Sequence, residues 1–175
     1  MTTACFPRRV RVRELGPGDA EVVDAVFAGL SDHSRYLRFH SPVPRLTASV
    51  RRSLTALDGH RHVALAAFAD GHPIGIVRLV ALGDGRAELA IEVVDAWQRR
   101  GVGTQLLRAA RERAARLGHH ELVAEVLAEN AAARATVRSV FPMARTKRAG
   151  AELTITVPVH DDELSLADLI DGLAA

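Results

Sequence analysis

The run Val93-Val94-Asp95-Ala96-Trp97-Gln98-Arg99-Arg100-Gly101-Val102-Gly103-Thr104 constrains this chain more than any other. It joins an apolar strand to a long helical pattern in which Leu106, Leu107, Ala110, Ala114 and Leu117 recur on one face, ending at Gly118. A strand that turns through Gly-x-Gly straight into a helix presents a row of backbone N–H groups that the helix itself cannot satisfy. Such a corner suits an anion. Gly101 and Gly103 let the backbone approach it without an intervening Cβ, and Arg99 and Arg100 add positive charge beside the helix N-terminus. The expected ligand is a phosphate or pyrophosphate. A dinucleotide fold would carry G-x-G-x-x-G and a Walker loop G-x-x-x-x-G-K-[ST], and neither string is present. Taken alone, Gly-x-Gly at a helix start also fits a bare structural turn.

The rest of the chain supplies a mixed α+β setting for this corner. Arg8 to Arg13 alternate basic and apolar residues, as an edge strand with its arginines in water would. Gly16-Pro17-Gly18-Asp19 predicts a turn with Asp19 as N-cap, followed by a helix carrying Val22, Val23, Val26, Phe27 and Leu30. The polar stretch from Ser31 to Pro42 has embedded aromatics and precedes a helix capped near Thr47. Val63 to Ala69, Ile74 to Val80 and Ala87 to Val94 form an antiparallel meander turning at Asp70-Gly71 and Gly83-Asp84-Gly85. Leu122 to Leu127 is a further strand, Asn130 opens a helix toward Ser139, and Glu152 to Val157 is the last strand. The predicted order is βααβββαβαβ in one domain over 1–159, with a tail over 160–175 whose leucines suggest a short amphipathic helix.

Composition narrows the function classes. At 175 residues, 48% apolar and 25% charged, the chain has the make-up of one globular domain with a real core. No apolar run approaches the ~18 to 20 residues of a membrane span, and the opening lacks signal-peptide order, which predicts a cytoplasmic protein. All 23 Lys and Arg residues except Lys147 are arginine, but they are dispersed, and with 4% aromatics the pattern argues against nucleic-acid binding. Cys5 has no disulfide partner. His119-His120 and His60-x-His62 lack Cys or acidic companions at ligand spacing, so no metal is expected.

The corner, its following helix and strand, and Glu129-Asn130-Ala131-Ala132-Ala133-Arg134 together resemble the GNAT superfamily of N-acetyltransferases over roughly Arg11 to Val157. Gln98, Gly101 and Gly103 match its Arg/Gln-x-x-Gly-x-Gly/Ala signature. The resemblance implies a three-layer fold whose central, mostly antiparallel sheet splays around an acetyl-CoA site. It implies that Gln98, Arg99, Arg100, Gly101, Val102, Gly103 and Thr104 cradle the pyrophosphate. It further implies that Val93 and Val94 pair with the pantetheine arm as an added strand would, and that Asn130 lines the other side.

The reaction implied is direct acetyl transfer to a primary amine, a small molecule or a protein lysine, in one ternary complex. The amine must lose a proton, so a carboxylate base is expected. Glu88 and Glu92, four apart on one strand face, are the candidates, with a solvated strand carboxylate as the bland reading of each. Relatives often carry a tyrosine after the Asn helix to protonate the leaving thiolate, but here Ser139-Val140-Phe141-Pro142 offers none. Either water supplies that proton, or the domain binds acyl-CoA without turnover, as a regulatory module would. Ser-x-x-Ser-Arg-Tyr-x-Arg-Phe, from Ser31, resembles a run in GNAT domains of bacterial protein lysine acetyltransferases and marks Tyr36, Arg38 and Phe39 as acceptor contacts. In the alternative, Tyr36 and Phe39 anchor the segment to the core. His33 and His40 are secondary base candidates, and a homodimer through the last strand or the tail is a further expectation.

Overall fold

The computed structural model describes residues 9–160. Cys5 and, apart from His160, the tail expected over 160–175 lie outside them. In chain order the elements are β1 (Val10–Glu14), α1 (Ala20–Ala28), α2 (Asp32–Phe39), α3 (Ala48–Thr55), β2 (His62–Ala69), β3 (His72–Gly83) and β4 (Arg86–Val93). A 3-10 turn, Asp95–Trp97, leads to α4 (Val102–Arg116), β5 (Glu121–Leu127), α5 (Ala131–Val140), β6 (Arg145–Ala149) and β7 (Glu152–Pro158). One seven-stranded sheet runs β1-β2-β3-β4-β5-β7-β6, parallel only between β4 and β5. The expected α+β fold and mostly antiparallel sheet are present.

Two elements go beyond the predicted order. The stretch after Ser31 is a helix: Ser31 Oγ accepts from Ser34 N at 3.2 Å, and His40 closes it in the left-handed region at φ 55°. β6 is wholly exposed, so no alternation of apolar and polar residues marked it. Asp19 also acts differently from expectation. It stands at the N-cap of α1, but its carboxylate caps no helix N–H; it accepts from Gly16 N at 2.8 Å and from both terminal nitrogens of Arg13.

The meander forms as its turns dictate. Asp70 and Gly71 have φ of 50° and 81°, and Asp84 and Gly85 have 51° and 70°, the paired positive values of a two-residue hairpin turn. Alternation along the strands then separates two cores. On one face Val63, Leu65, Val77, Leu79 and Leu89 pack under Leu106, Leu107 and Ala110 of α4. On the other, Ala64, Ala66 and Ile76 meet Val23 and Val26 of α1. A functional group on β4 therefore faces either α4 and α5 or the α1–α3 layer.

Candidate active site

The central feature is a split in the sheet. β4 pairs with β3 from Arg86 to Val93, but with β5 only over Arg86↔Glu121, Ala87↔Leu122 and Glu88↔Val123. Past Glu88 the two strands part. Val94 N donates to Ile74 O at 3.0 Å, and antiparallel alternation then turns the N–H and C=O groups of Leu89, Ile91 and Val93 away from β3 and into the gap. Of the two valines expected to meet a pantetheine arm, Val93 thus offers its backbone to the gap while Val94 completes the β3 ladder.

At the wide end of the gap lies the glycine corner. Gly101 sits at the N-cap of α4 with φ 78°, and no atom lies within 4 Å of where its Cβ would be. A Cβ on Gly103 would instead press on Thr136 Cγ2 at 3.3 Å, so this glycine serves the approach of α5 to α4. Gln105 N donates to Gly101 O, the first bond of the helix, which leaves the N–H groups of Val102, Gly103 and Thr104 without an intrahelical acceptor. Arg99 and Arg100 are exposed beside them, Arg100 lying 5.4 Å over the Trp97 ring. A diphosphate fits this corner: open approach, orphan donors and cationic flanks together.

Gln98 works inward. Its Nε2 donates to Val93 O at 3.1 Å, Asp95 Oδ1 at 3.2 Å and Ser34 Oγ at 3.2 Å, tying the corner to α2. Burial pushes the Asp95 carboxyl up, but hydrogen bonds from Ser31 and Ser34 outweigh it, and the net shift is downward. Asn130 is the N-cap of α5, its side chain accepting from Ala133 N at 3.0 Å.

The two candidate bases share the α1–α3 face but not an environment. Glu88 is exposed, at the last rung before the strands part. Glu92 is buried, receives Arg38 Nε at 2.5 Å and has Arg78 Nη2 3.6 Å away. Five residues of strand separate Val93 from Glu88, roughly 16 Å at ~3.3 Å per residue, so Glu88 marks the narrow end and Glu92 the wide end.

α2 lies across the wide end and touches both arms of the split. Arg38 reaches Glu92 on β4; the Tyr36 hydroxyl hydrogen-bonds Glu129, just past β5, and that carboxylate raises the phenol's pKa above its ordinary value. His40 Nδ1 stands 3.0 Å from Glu152 Oε1 on β7. Phe39 tilts against Phe27 of α1 at 6.0 Å between ring centres. His33 is exposed. Phe141, which has no hydroxyl, is buried in the α4–α5 core beneath Arg111.

Arg78, Glu129 and Glu152 escaped the sequence reading. For Arg78 a signal existed: a lone charge inside Ile74 to Val80, at the parity of Ile76, in a strand otherwise apolar. A cavity of about 520 Å³ lies where α5 meets the β6–β7 hairpin, lined by Glu129, Arg134, Arg148 and Leu153 among others. Glu129, the partner of Tyr36, thus faces this cavity as well. Among the described residues no three His, Cys, Asp or Glu side chains are grouped to hold a metal ion, and no helix is long and apolar enough to cross a membrane.

The profile of the acetyltransferase (GNAT) family matches residues 30–140, and the chain belongs to that family. Among solved structures, the GNAT domain of S. lividans PAT is 31% identical, with 85% of this chain and 90% of that one covered at a TM-score of 0.79. The yncA protein of Salmonella typhimurium, solved with acetyl-CoA, shares the fold at 17% identity, 88% and 96% coverage and a TM-score of 0.70. So does the PaiA N-acetyltransferase of Thermoplasma acidophilum in complex with coenzyme A, at 21% identity, 86% and 99% coverage and 0.61. No curated protein sequence matches the chain.

Proposed function

We propose that this protein is an acetyl-CoA-dependent N-acetyltransferase acting on a primary amine, either a small molecule or a protein lysine. One observation carries the reading: the unpaired edge of β4 past Glu88 leads directly to the orphan donors of α4. In this reading the N–H groups of Val102, Gly103 and Thr104 bind the diphosphate, with Arg99 and Arg100 lending charge. The gap-facing backbone of Ile91 and the N–H of Val93 bind the pantetheine amides as a neighbouring strand would, and Asn130 with α5 closes the far side. Gln98 holds the corner in shape. The bound donor supplies an acetyl thioester at the narrow end.

Glu88 is the base. It is exposed where the strands part, and so can meet an incoming ammonium group, whereas Glu92 carries an arginine on its carboxylate. With its proton taken by Glu88, the amine forms the new C–N bond, the C–S bond breaks, and the thiolate takes a proton from water. Water is assigned because Phe141 has no proton to give and the Tyr36 hydroxyl is engaged by Glu129. Tyr36, Arg38 and Phe39 on α2 form the acceptor wall. This chemistry suits a cytoplasmic protein, where acetyl-CoA is made and used.

The test is free-thiol release from acetyl-CoA with a panel of amines and lysine peptides, for the wild type and for Glu88→Gln. Loss of about 100-fold or more in kcat, with the ascending limb of the pH profile gone, is expected of the variant. Full activity in Glu88→Gln removes the base assignment. Cofactor binding without any acetyl transfer by the wild type would favour the acyl-CoA-binding module instead.

A further inference from the structure

α2 has no fully buried residue, and its apolar packing is confined to half-buried side chains such as Phe39 against Phe27 of α1. Its position depends on polar ties, and most of these end on exposed groups: Ser34 with Gln98, Tyr36 with Glu129, His40 with Glu152. Exposed ties of this kind contribute little. Two ties are different: Arg35 donates to the Phe27 carbonyl of α1 at 3.3 and 3.4 Å, and Arg38 ends on a buried charge. Arg38 reaches a carboxylate, Glu92, that is 8% exposed and stands at the centre of a charge chain running through the sheet.

Behind Glu92 lies Arg78 on β3, 2% exposed. It stands on the α1–α3 face in register between Ala64 on β2 and Ala90 on β4, two small residues that leave its long side chain room. Its Nη1 donates to Leu54 O in α3 at 2.7 Å, while Nε and Nη2 have no hydrogen-bond partner among the described residues. A guanidinium in such a place requires a nearby carboxylate, and Glu92 is the one that faces it. The chain Leu54–Arg78–Glu92–Arg38 thus links α3, β3, β4 and α2.

We propose that Glu92, backed by Arg78, is a positioning residue: it anchors α2 through Arg38 and thereby sets the acceptor wall, and it does not carry the reaction's proton. The kinetic consequence rests on the acetyltransferase reading; the anchoring itself does not. Glu92 keeps its carboxylate on the two guanidiniums throughout turnover, and α2 stays against β4 while the acceptor enters beside it.

Two variants test this, Glu92→Gln and the milder Arg38→Met at the outer end of the chain. Hydrogen exchange should quicken in the α2 amides, Asp32 to Phe39, by about tenfold or more in both, with the β2 and β3 amides unchanged in Arg38→Met. In steady-state kinetics the acceptor KM should rise by about 10- to 100-fold, with the acetyl-CoA KM and the ascending pH limb retained. Unchanged α2 exchange in Arg38→Met overturns the anchoring. Loss of the ascending pH limb in Glu92→Gln, with acceptor KM unaltered, overturns the assignment by making Glu92 the base. If the wild type transfers acetyl to no amine, the acetyltransferase reading fails and the exchange measurement still decides the anchor.

Discussion

Removing either partner of the Arg78–Glu92 pair should have unequal consequences, and the inequality can be worked from burial. Glu92→Gln leaves the Arg78 guanidinium, 2% exposed, with only Leu54 O as a partner. Stranding a buried charge in this way costs about 3–5 kcal/mol. At ~2–4 °C per kcal/mol for a chain of this size, the midpoint of thermal unfolding should fall by roughly 6–20 °C. Arg78→Met does the reverse. It removes a cation whose Nε and Nη2 make no hydrogen bond among the described residues, fills the space between Ala64 and Ala90 with an unbranched apolar chain, and leaves Glu92 its bond from Arg38. That change should stay within about 1 kcal/mol of wild type, because Glu92 keeps the Arg38 guanidinium and no buried charge is stranded. In the double variant, Glu92→Gln should cost clearly less than it does alone, a coupling read directly from a urea or thermal cycle. An Arg78→Met variant as unstable as Glu92→Gln, or strictly additive costs, would refute the view that Glu92 neutralises Arg78.

Two glycines give a contrast in mechanism. Gly75→Ala would put a Cβ 2.9 Å from Glu92 O and 3.0 Å from Leu106 Cδ1, an overpacking of about 1–3 kcal/mol, and repacking variants at Leu106 should recover part of it. Gly101→Ala meets nothing within 4 Å and should lose only the left-handed strain of about 1–2 kcal/mol, which no neighbouring substitution can relieve. Acid sensitivity follows from two carboxyls. Hydrogen bonds from Arg13 and Gly16 hold Asp19 at about 2, and backbone donors of His62, His60 and Arg61 hold Asp58 at about 2, both below the ordinary 3.8. The folded chain therefore binds fewer protons than the unfolded one, so their stabilisation is complete above pH 3.8 and is lost as pH falls toward 2. Denaturation midpoints of Asp19→Asn and Asp58→Asn should depend less on pH across that window than the wild type's.

What the sequence made legible follows from how local each determinant is. The paired positive-φ turns, the alternating strands of the meander and the glycine corner are written in neighbouring residues, and all were found where expected. No apolar periodicity marks α2, because its stretch is polar and prolines at 42 and 44 follow it, although Ser31 at its start is an ordinary capping residue. β6 was passed over because an edge strand exposed on both faces needs no alternation. The pairing of β4 with β5 over only three rungs belongs to no local pattern. The contrast between Glu88 and Glu92 is of the same kind. Both sit four apart on one strand face, and only the arrival of Arg38 from α2 and Arg78 from β3 distinguishes them.

The central claim is that the split between β4 and β5, with the corner at Gly101, binds the acetyl donor. Calorimetric titration of acetyl-CoA into the wild type and into Gly101→Glu, with circular dichroism to verify that both are folded, tests it most directly. The account predicts saturable binding by the wild type at one site and its loss when a carboxylate is placed at the mouth of the corner. Undiminished binding in Gly101→Glu, or none in the wild type, would contradict it.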